Sequence, residues 1–458
     1  MEIAINATSP FLGRGDVAKN EKMNKKIVLW SIAVGLGGLL FGMDVAVISG
    51  AEKAIQELWQ LSDWTHGTAI AMALYGTAIG AAFGNIPANK IGRKKSLIWI
   101  GIIFLVSSIG AALAPEIISF MFMRFLSGLS IGASSVVAPV YISEIAPAKY
   151  RGRLVISFQM NIVCGILIAY LSNYLLQGVG GENDWRWMLG IVAIPSLAFS
   201  IIMTFVPETP RWLLLFKNDE AHAREVLSIT EDNIDKTIQD IKASATQTKE
   251  PLFNKKFYKP LLLAFLLATF NQLSGINAII YFAPRVFEMA GIAKGGAFLS
   301  TVGIGAVNLI FTIIGWSLID KFGRRTLLFI GSIGYIISLS LISIGFASGT
   351  NEYIVYYVFM FIAAHAVGQG AVIWVFISEI FPNSVRASGT SFGSLTHWFW
   401  AALVAQVFPF FAENVGGTII FGFFAGMMVL QLIFVWRMMP ETKGIALEDM
   451  DKATVVLH

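Results

Sequence analysis

Two charged residues stand inside long apolar stretches of this sequence, where a charge is hardest to accommodate. Asp44 ends the run Phe41-Gly42-Met43-Asp44, and Arg124 lies in a second apolar stretch. If hydrocarbon surrounds both stretches, each unpaired charge costs at least about 2.5–3.5 kcal/mol, so we expect the two residues to pair. A buried carboxyl group prefers to be protonated without a cationic partner and ionised with one. The pair is therefore a candidate site of reversible proton binding; the alternative is a static ion pair that fixes helix packing.

A second group of polar residues carries amide chemistry. Asn271, Gln272 and Asn277 interrupt another apolar run, and Ser274-Gly275 lies between them. Carboxamides both donate and accept hydrogen bonds, which suits a ligand rich in hydroxyl groups. Gly275 allows a helix to break at this point and to expose backbone groups as well. We therefore expect this segment to line a binding site for a polar small molecule.

The composition determines what kind of element must position these residues. Of the 458 residues, 56% are apolar and 14% are charged, whereas an ordinary soluble domain has about 25% charged residues. The mean hydropathy is +0.69. This balance excludes a soluble multidomain protein, a disordered chain and a nucleic-acid-binding protein. Because Cys164 is the single cysteine, an internal disulfide is also excluded. We expect the lipid bilayer to be the solvent of this chain.

Twelve apolar stretches are long enough to cross a bilayer as helices, since about 20 residues span ~30 Å of hydrocarbon. Helices are expected because open sheet edges cannot face lipid. The stretches begin near Ile27, His66, Ser96, Glu116, Leu154, Trp187, Tyr258, Ala297, Thr326, Tyr353, Ala387 and Gly416. The predicted fold class is an all-α membrane protein with twelve transmembrane helices.

The basic residues predict the orientation of these helices. Of the 33 Lys and Arg residues, 28 lie in the two tails and in the loops after spans 2, 4, 6, 8 and 10. The loops on the other side hold four, which are Lys53, Arg186, Arg285 and Lys294. The positive-inside rule then places both termini in the cytoplasm. We expect a multi-pass protein of the cytoplasmic (inner) membrane.

Three landmarks repeat between the two halves of the chain at offsets of 231 to 235 residues. The repeated groups are Gly84, Lys90, Gly92 and Arg93 with Gly315, Lys321, Gly323 and Arg324; Ile142-Ser143-Glu144-Ile145, Pro147 and Arg151 with Ile377-Ser378-Glu379-Ile380, Pro382 and Arg386; and Pro207-Glu208-Thr209 with Pro440-Glu441-Thr442. The repeat predicts two pseudo-symmetric six-helix bundles, 27–206 and 258–438, around a central cavity. A cytoplasmic linker with short helices (207–257) joins them, and cytoplasmic tails (1–26 and 439–458) flank them.

The repeated landmarks also place carboxylates near arginines on the predicted cytoplasmic side. We interpret them as a latch that holds the halves together while the cavity faces outward. The alternative is that they cap helix ends. The residues are Glu144, Glu208, Glu379 and Glu441 together with Arg93, Arg151, Arg211, Arg324 and Arg386.

These motifs resemble the sugar porter family of the major facilitator superfamily. The matching segments are GNIPANKIGRKK (84–95), YISEIAPAKYRGR (141–153), PETPR (207–211), NQLSGIN (271–277), DKFGRR (320–325), ISEIFPNSVR (377–386) and PETKG (440–444). The PETPR, PETKG and NQLSGIN segments are specific to sugar porters. The resemblance implies the major facilitator fold and alternating-access transport of a monosaccharide. The closest patterns are those of bacterial proton-coupled pentose and hexose symporters and of animal facilitative hexose transporters.

The resemblance also implies roles for individual residues. It assigns Asp44 and Arg124 to proton symport and makes Tyr281 a candidate gate over the sugar. The predicted substrate-binding set is Gln159, Ile166, Asn271, Gln272, Asn277, Asn308, Trp374, His397 and Trp398. The family has an acidic residue before its basic loop motif. The second copy of this motif in the chain keeps the acid as Asp320, which is one of the predicted gating residues. The first copy has Asn89 at this place.

Departures from the family pattern bear on the identity of the sugar. Ile166 stands where pentose-type symporters have Gln and the glucose facilitator has Ile, which favours a hexose. His365 and His397 match histidines of the animal fructose-transporting branch, yet that branch lacks the tryptophan that this chain keeps as Trp374. Glucose-type and fructose-type hexoses both stay open, and each histidine has the alternative role of a helix-packing residue.

The predicted function is proton-coupled symport of a monosaccharide. A facilitative sugar uniporter is the alternative, and a membrane sugar sensor, which would usually carry a longer tail than 439–458, is a distant one. We expect no enzyme activity, because the sequence has no Ser/His/Asp or Cys/His arrangement and no metal-ligand spacing. The expected partners are the sugar, the proton and the lipid bilayer. We expect no cofactor, metal or nucleic acid, and function as a monomer.

Overall fold

The computed structural model describes residues 24–147, 150–231, 233–244, 250–382 and 384–443. Most of the two predicted tails therefore lies outside the described residues. Within the described part, the chain folds into helices joined by short connections, and the helices are numbered here in chain order.

The first half of the chain supplies six spans. Its helices are α1 (Lys25–Leu58), α2 (Asp63–Phe83), α3 (Asn85–Ile91), α4 (Arg93–Ala112), α5 (Ile117–Ile145), α6 (Arg151–Leu176), α7 (Asp184–Gly190) and α8 (Ala193–Phe205). The helices α2 and α3 meet at an angle of 49° and form one bent span. The helices α7 and α8 follow each other along one further span.

Short helices connect the halves, as the sequence predicts. They are α9 (Pro210–Trp212), α10 (Glu220–Thr230) and α11 (Ile234–Ser244). The Asp219 carboxylate accepts a hydrogen bond from the backbone N–H of His222 and so caps the start of α10. Arg224 pairs with Glu220 on its own helix and with Asp235 on α11, which ties the two short helices together.

The second half supplies the other six spans, two of which are broken. Its helices are α12 (Tyr258–Leu273), α13 (Ile276–Met289), α14 (Lys294–Phe322), α15 (Arg324–Ser348), α16 (Ile354–Val367), α17 (Gln369–Glu379), α18 (Arg386–Asn414) and α19 (Gly417–Arg437). The break between α12 and α13 falls at Gly275, whose φ of +83° favours glycine. The break between α16 and α17 falls at Gly368.

Counted over the described residues, eleven helical segments are long and apolar enough to cross a membrane, and the bent pair α2–α3 makes twelve. This confirms the predicted all-α membrane fold. Glycines bring helices of the first bundle into close contact: a Cβ on Gly42 of α1 would lie 1.9 Å from the Ile162 carbonyl oxygen of α6, and a Cβ on Gly128 of α5 would lie 1.9 Å from that of Ala73 on α2. Small residues at such positions let membrane helices approach closely.

The two bundles contact each other through α2 with α18, α6 with α14, and α1 with α13. We call the face that carries Asn24, the described residues of the linker (206–231, 233–244 and 250–257) and Lys443 the basic face. The opposite face is the one that carries the connection from Leu58 to Asp63. Near the opposite face, a Cβ on Gly67 of α2 would lie 1.8 Å from the backbone oxygen of Gln406 on α18. The Tyr75 hydroxyl of α2 donates a hydrogen bond to the Gln406 side chain. The bundles therefore meet tightly near the opposite face.

Candidate functional site

The structure brings the two predicted intramembrane charges together. Asp44 on α1 and Arg124 on α5 are each 2% exposed, and Nη1 of Arg124 donates a hydrogen bond of 2.9 Å to Oδ1 of Asp44. The Ser127 hydroxyl, one turn after Arg124, lies 3.4 Å from Oδ2 of the same carboxylate. A second guanidinium nitrogen lies 3.4 Å from the Asp44 backbone oxygen. A buried carboxylate and its counter-ion are thus held between two helices of the first bundle.

Tyr281 of the second bundle lies close to this ion pair. Its side chain on α13 is fully buried and is within electrostatic range of both Asp44 and Arg124. Among the described residues, neither the Tyr281 hydroxyl nor Nε of Arg124 has a hydrogen-bond partner. The Tyr170 hydroxyl of α6 donates to the backbone oxygen of Ile280, 2.9 Å away. The predicted gate residue therefore stands where the two bundles meet beside the charged pair.

The three predicted carboxamides form a connected cluster at the break between α12 and α13. Nδ2 of Asn277 donates a 2.7 Å hydrogen bond to Oε1 of Gln272, and Nε2 of Gln272 lies 3.1 Å from Oδ1 of Asn271. The left-handed Gly275 allows the chain to turn between them, so residues of both helices point to one place. The Ser274 hydroxyl bonds to the Asn271 backbone oxygen at 2.6 Å and supports the turn.

The cluster continues through residues that the sequence reasoning missed. Asn271 donates to Gln369 on α17, Gln369 donates to Gln431 on α19, and Gln431 donates to the Ser332 hydroxyl on α15. Gln369 and Gln431 are fully buried. Both are amides inside apolar stretches, so the rule that singled out Asn271 could have found them as well. Each amide satisfies the next, which holds the cluster in one arrangement.

An aromatic wall stands next to the amide cluster. A ring nitrogen of His397 lies 3.0 Å from Nε2 of Gln272, and the His397 ring is 4.8 Å from the rings of both Trp374 and Trp398. The Trp398 ring also contacts Phe41 of α1 at 5.5 Å, three residues before Asp44. Amide groups and aromatic surface thus converge at the bundle interface, and they connect to the helix that carries the ion pair.

The remaining predicted substrate residues make other contacts. Gln159 is half-buried on α6, Ile166 packs against Gly42 of α1, and Oδ1 of Asn308 on α14 accepts a 3.4 Å hydrogen bond from Thr312. In the described structure no hydrogen bond links these three to the amide cluster. His365 is hydrogen-bonded to the Tyr335 hydroxyl, which is a packing contact within the second bundle. Their predicted roles stay predictions.

The repeated charged landmarks form two matching clusters on the basic face. In the first bundle, Arg93 binds Glu144 through two hydrogen bonds of 3.1 and 3.2 Å, and Glu208 accepts the backbone N–H groups of Arg93 and Lys94. The Thr209 hydroxyl adds a 2.6 Å bond to Glu144. Burial raises the pKa of the Glu208 carboxyl, and backbone hydrogen bonds from Thr209, Lys94 and Arg93 oppose that rise.

The second bundle repeats the cluster with its own residues. Arg324 binds Glu379 at 2.9 and 3.2 Å, Glu441 accepts the backbone N–H groups of Arg324 and Arg325, and the Thr442 hydroxyl lies 2.6 Å from Glu379. All of these bonds stay within one bundle. Both clusters therefore close on their own bundle in this structure, and the predicted latch between the halves stays a prediction.

The other predicted gating residues surround these clusters. Arg93 donates to Asn89 at 3.1 Å, as Arg324 does to Asp320 at 3.3 Å, so the substitution in the first copy keeps the hydrogen bond and loses the charge. The last three arginines lie on the same face. Arg151 is exposed, Arg211 is half-buried, and Nε of Arg386 donates to the Phe381 backbone oxygen.

Each of the two clusters contains a glycine at the turn between two helices, Gly92 in the first and Gly323 in the second. The second of these gives a testable prediction. Gly323 has a φ of +85° and a ψ of 169°, and a Cβ there would lie 2.4 Å from a Glu441 carboxylate oxygen. We expect Gly323→Ala to introduce roughly 1–3 kcal/mol of strain and to displace Glu441. The apparent melting temperature of the purified protein should fall by several degrees.

The matched control is Gly152→Ala near the start of α6, where a Cβ would meet nothing within 4 Å. This substitution should leave the melting temperature unchanged. Equal melting temperatures for the two variants would contradict the role assigned to Gly323.

The opposite face carries an ionic cluster between the bundles that the sequence reasoning did not predict. Arg285 of α13, assigned from the sequence to a loop, lies in a helix and binds Glu52 of α1 at 2.9 Å. Lys53 of α1 also pairs with Glu288 of α13 at 2.6 Å. Unlike the clusters of the basic face, these pairs join the two bundles.

Comparison with known proteins identifies the family and the fold of this chain. The family described as "Sugar (and other) transporter" matches residues 30–453. The chain is 36% identical over 440 residues to the glucose transporter GlcP of Staphylococcus epidermidis, covering 94% of this chain and 97% of that protein. It is 34% identical over 445 residues to the arabinose-proton symporter of Bacillus subtilis, covering 93% and 94% of the two chains. A solved structure of the xylose transporter XylE from E. coli, in a partially occluded inward open conformation, has a TM-score of 0.82 and 30% identity and covers 92% of this chain and 99% of that chain.

Proposed function

This chain belongs to the sugar (and other) transporter family, and from this premise we propose that it is a proton-coupled monosaccharide symporter that works by alternating access. The family and the fold are those of membrane sugar transporters, which are not enzymes. The observation that carries the proton coupling is the buried Asp44–Arg124 ion pair. Relatives described as an arabinose-proton symporter and a glucose transporter support the same reading.

The ion pair is the proposed proton site. The Arg124 guanidinium, 2.9 Å from Asp44, stabilises the ionised form of the carboxylate. A movement that separates the two leaves a carboxyl group in a dry interior, where it takes up a proton. Return of Arg124 then expels the proton. The contact between Phe41, three residues before Asp44, and Trp398 is the proposed path by which the sugar site senses this change.

The amide cluster and the aromatic wall are the proposed sugar site. Gln272, Asn277 and His397 supply hydrogen bonds to sugar hydroxyls, and Trp374 and Trp398 supply surface for the weakly apolar ring faces. We propose that Asn271, Gln159, Ile166 and Asn308 complete the pocket when the bundles close on the sugar, with Tyr281 as the gate above it. A hexose of glucose or fructose type is the proposed substrate.

We propose that the basic face is the cytoplasmic one and that both termini lie on that side of the cell membrane. At the opposite face, side-chain contacts connect the two bundles. At the basic face, each charged cluster forms its bonds within its own bundle. With the basic face in the cytoplasm, this arrangement corresponds to an inward-facing state. Glu144, Glu208, Glu379 and Glu441 would exchange some of these bonds for partners in the other bundle when the cytoplasmic side closes.

Uptake in proteoliposomes with a panel of labelled hexoses and pentoses tests the proposal. With an acidic exterior we expect one sugar to accumulate above its external concentration, and a protonophore should return it to equilibrium. A uniporter would instead reach the same internal concentration with and without the pH gradient. Saturation by a hexose but not by a pentose supports the substrate class, and the reverse result contradicts it.

A further inference from the structure

A buried ion pair joins the two bundles at the opposite face. The Glu52 side chain on α1 is 1% exposed and receives two hydrogen bonds from Arg285 on α13, Nε to Oε1 at 3.1 Å and Nη2 to Oε2 at 2.9 Å. Arg285 also donates to the side-chain oxygen of Gln56 on α1. Arg285 therefore holds α1 by two side chains, and one guanidinium satisfies most of the buried carboxylate.

His66 of α2 lies against this contact. Its ring is fully buried, and Nε2 lies 3.0 Å from Oε2 of Glu52 without the geometry of a hydrogen bond. The ring is also 6.2 Å from that of Phe282 on α13, which stacks on Phe408 of α18 at 5.0 Å. An aromatic layer thus lies next to the ion pair, and both cross from one bundle to the other.

We propose that Glu52 and Arg285, backed by His66, form the lock that keeps the opposite face of the transporter closed. The inference rests on the proposed alternating access, in which this face must open once per cycle. Separating α1 from α13 breaks the pair, and both charges gain water at that moment. Removing one partner leaves an uncompensated charge in the closed interface, which disfavours the closed state, whereas removing both leaves a neutral contact.

A second pair across the same helices provides a matched comparison. Lys53 of α1 and Glu288 of α13 lie 2.6 Å apart, yet the Lys53 side chain is 54% exposed. Exposed ion pairs contribute little because water already solvates both charges. The lock therefore depends on the buried pair, although both pairs join the same two helices.

Distance measurements between spin labels test the lock without any sugar. Leu113 and Glu352 are exposed at the opposite face, one in each bundle, and Cys164 is the single native cysteine. Spin labels are placed on Leu113→Cys and Glu352→Cys in a Cys164→Ser background, and the protein is reconstituted in lipid nanodiscs. A short distance between the labels represents the closed opposite face and a long distance the open one. The protein with an intact lock should show mainly the short distance. We expect Arg285→Gln to raise the ratio of long to short distances by at least about tenfold.

The control variants decide the interpretation. Glu52→Gln/Arg285→Gln should return most of the population to the short distance, and Lys53→Gln should not change the distribution. If Arg285→Gln does not fold, Glu52→Gln alone must give the same opening. An unchanged distribution in the single variants, or an equal shift in Lys53→Gln, would overturn the lock. The two proposals can fail separately. If Arg285→Gln shifts the distribution to the long distance but the wild-type protein takes up no sugar, the proposed function is contradicted and the lock is still supported.

Discussion

Replacing Asp44 by asparagine should abolish accumulation of sugar against its gradient while leaving exchange of sugar across the membrane intact. Asparagine has nearly the shape of aspartate and can still accept the hydrogen bond from Arg124, but it cannot carry a proton in and out, so the coupling is lost. A gradient of about 2 pH units stores ~2.7 kcal/mol, which supports about 100-fold accumulation for one proton per sugar. We expect this ratio to fall to about 1 in Asp44→Asn, measured in proteoliposomes with labelled sugar.

A matched control is available in the same bundle. Asp184 is also buried, but it lies near the opposite face and accepts the backbone N–H of Gly178 at 3.1 Å, a bond that asparagine can still accept. Asp184→Asn should therefore accumulate sugar like the wild type. Continued accumulation by Asp44→Asn would remove Asp44 from the coupling mechanism and favour the static ion pair.

The fold was predictable from the sequence because hydrocarbon imposes a simple length rule. Each predicted span start lies within about one turn of an observed helix start. The repeated landmarks predicted the division into two bundles. The break at Gly275 was also predictable, since Ser274-Gly275 separates polar residues in an apolar run. The break at Gly368 has a similar signal, because Gly368-Gln369-Gly370 stands within an apolar run, but the sequence reasoning did not use it.

The site was predictable where burial makes a polar group expensive. The meeting of Asp44 and Arg124 followed from the cost of two lone charges, and the cluster of Asn271, Gln272 and Asn277 followed from their spacing. The hydrogen-bond partners of these amides were not predictable, because Gln369 and Gln431 come from distant helices.

Contacts between bundles were the least predictable feature. A repeat gives each charged motif two symmetric copies, so the sequence alone does not decide whether Arg93 pairs within its own bundle or with the other one. Arg285 looked like a loop residue because it follows the end of an apolar run, yet α13 continues to Met289 and carries it into the interface. Neither contact can be read from a local segment, because the relative placement of the bundles is a property of the folded state.

Replacing Gln272 by alanine should weaken sugar binding severely, because Gln272 is the centre of the amide cluster. Its side chain bonds to Asn277 at 2.7 Å, His397 at 3.0 Å and Asn271 at 3.1 Å. The substitution therefore removes the proposed bonds from Gln272 to sugar and one hydrogen bond from each of these three neighbours. Losing one or two such bonds at about 1–2 kcal/mol each corresponds to a drop in affinity of about 5- to 1000-fold. Binding can be measured with labelled sugar in equilibrium dialysis.

A second amide distinguishes direct contact with sugar from general loosening of the network. Gln431 lies at the far end of the same hydrogen-bonded chain, beside Ser332, and is fully buried. Gln431→Leu should lower the melting temperature, since it removes the acceptor of the Gln369 side-chain N–H and the donor to the Ser332 hydroxyl, but it should change sugar affinity far less than Gln272→Ala does. Equal losses of affinity in the two variants would mean that the chain of amides acts only as a scaffold, and wild-type affinity in Gln272→Ala would exclude this helix break from the sugar site.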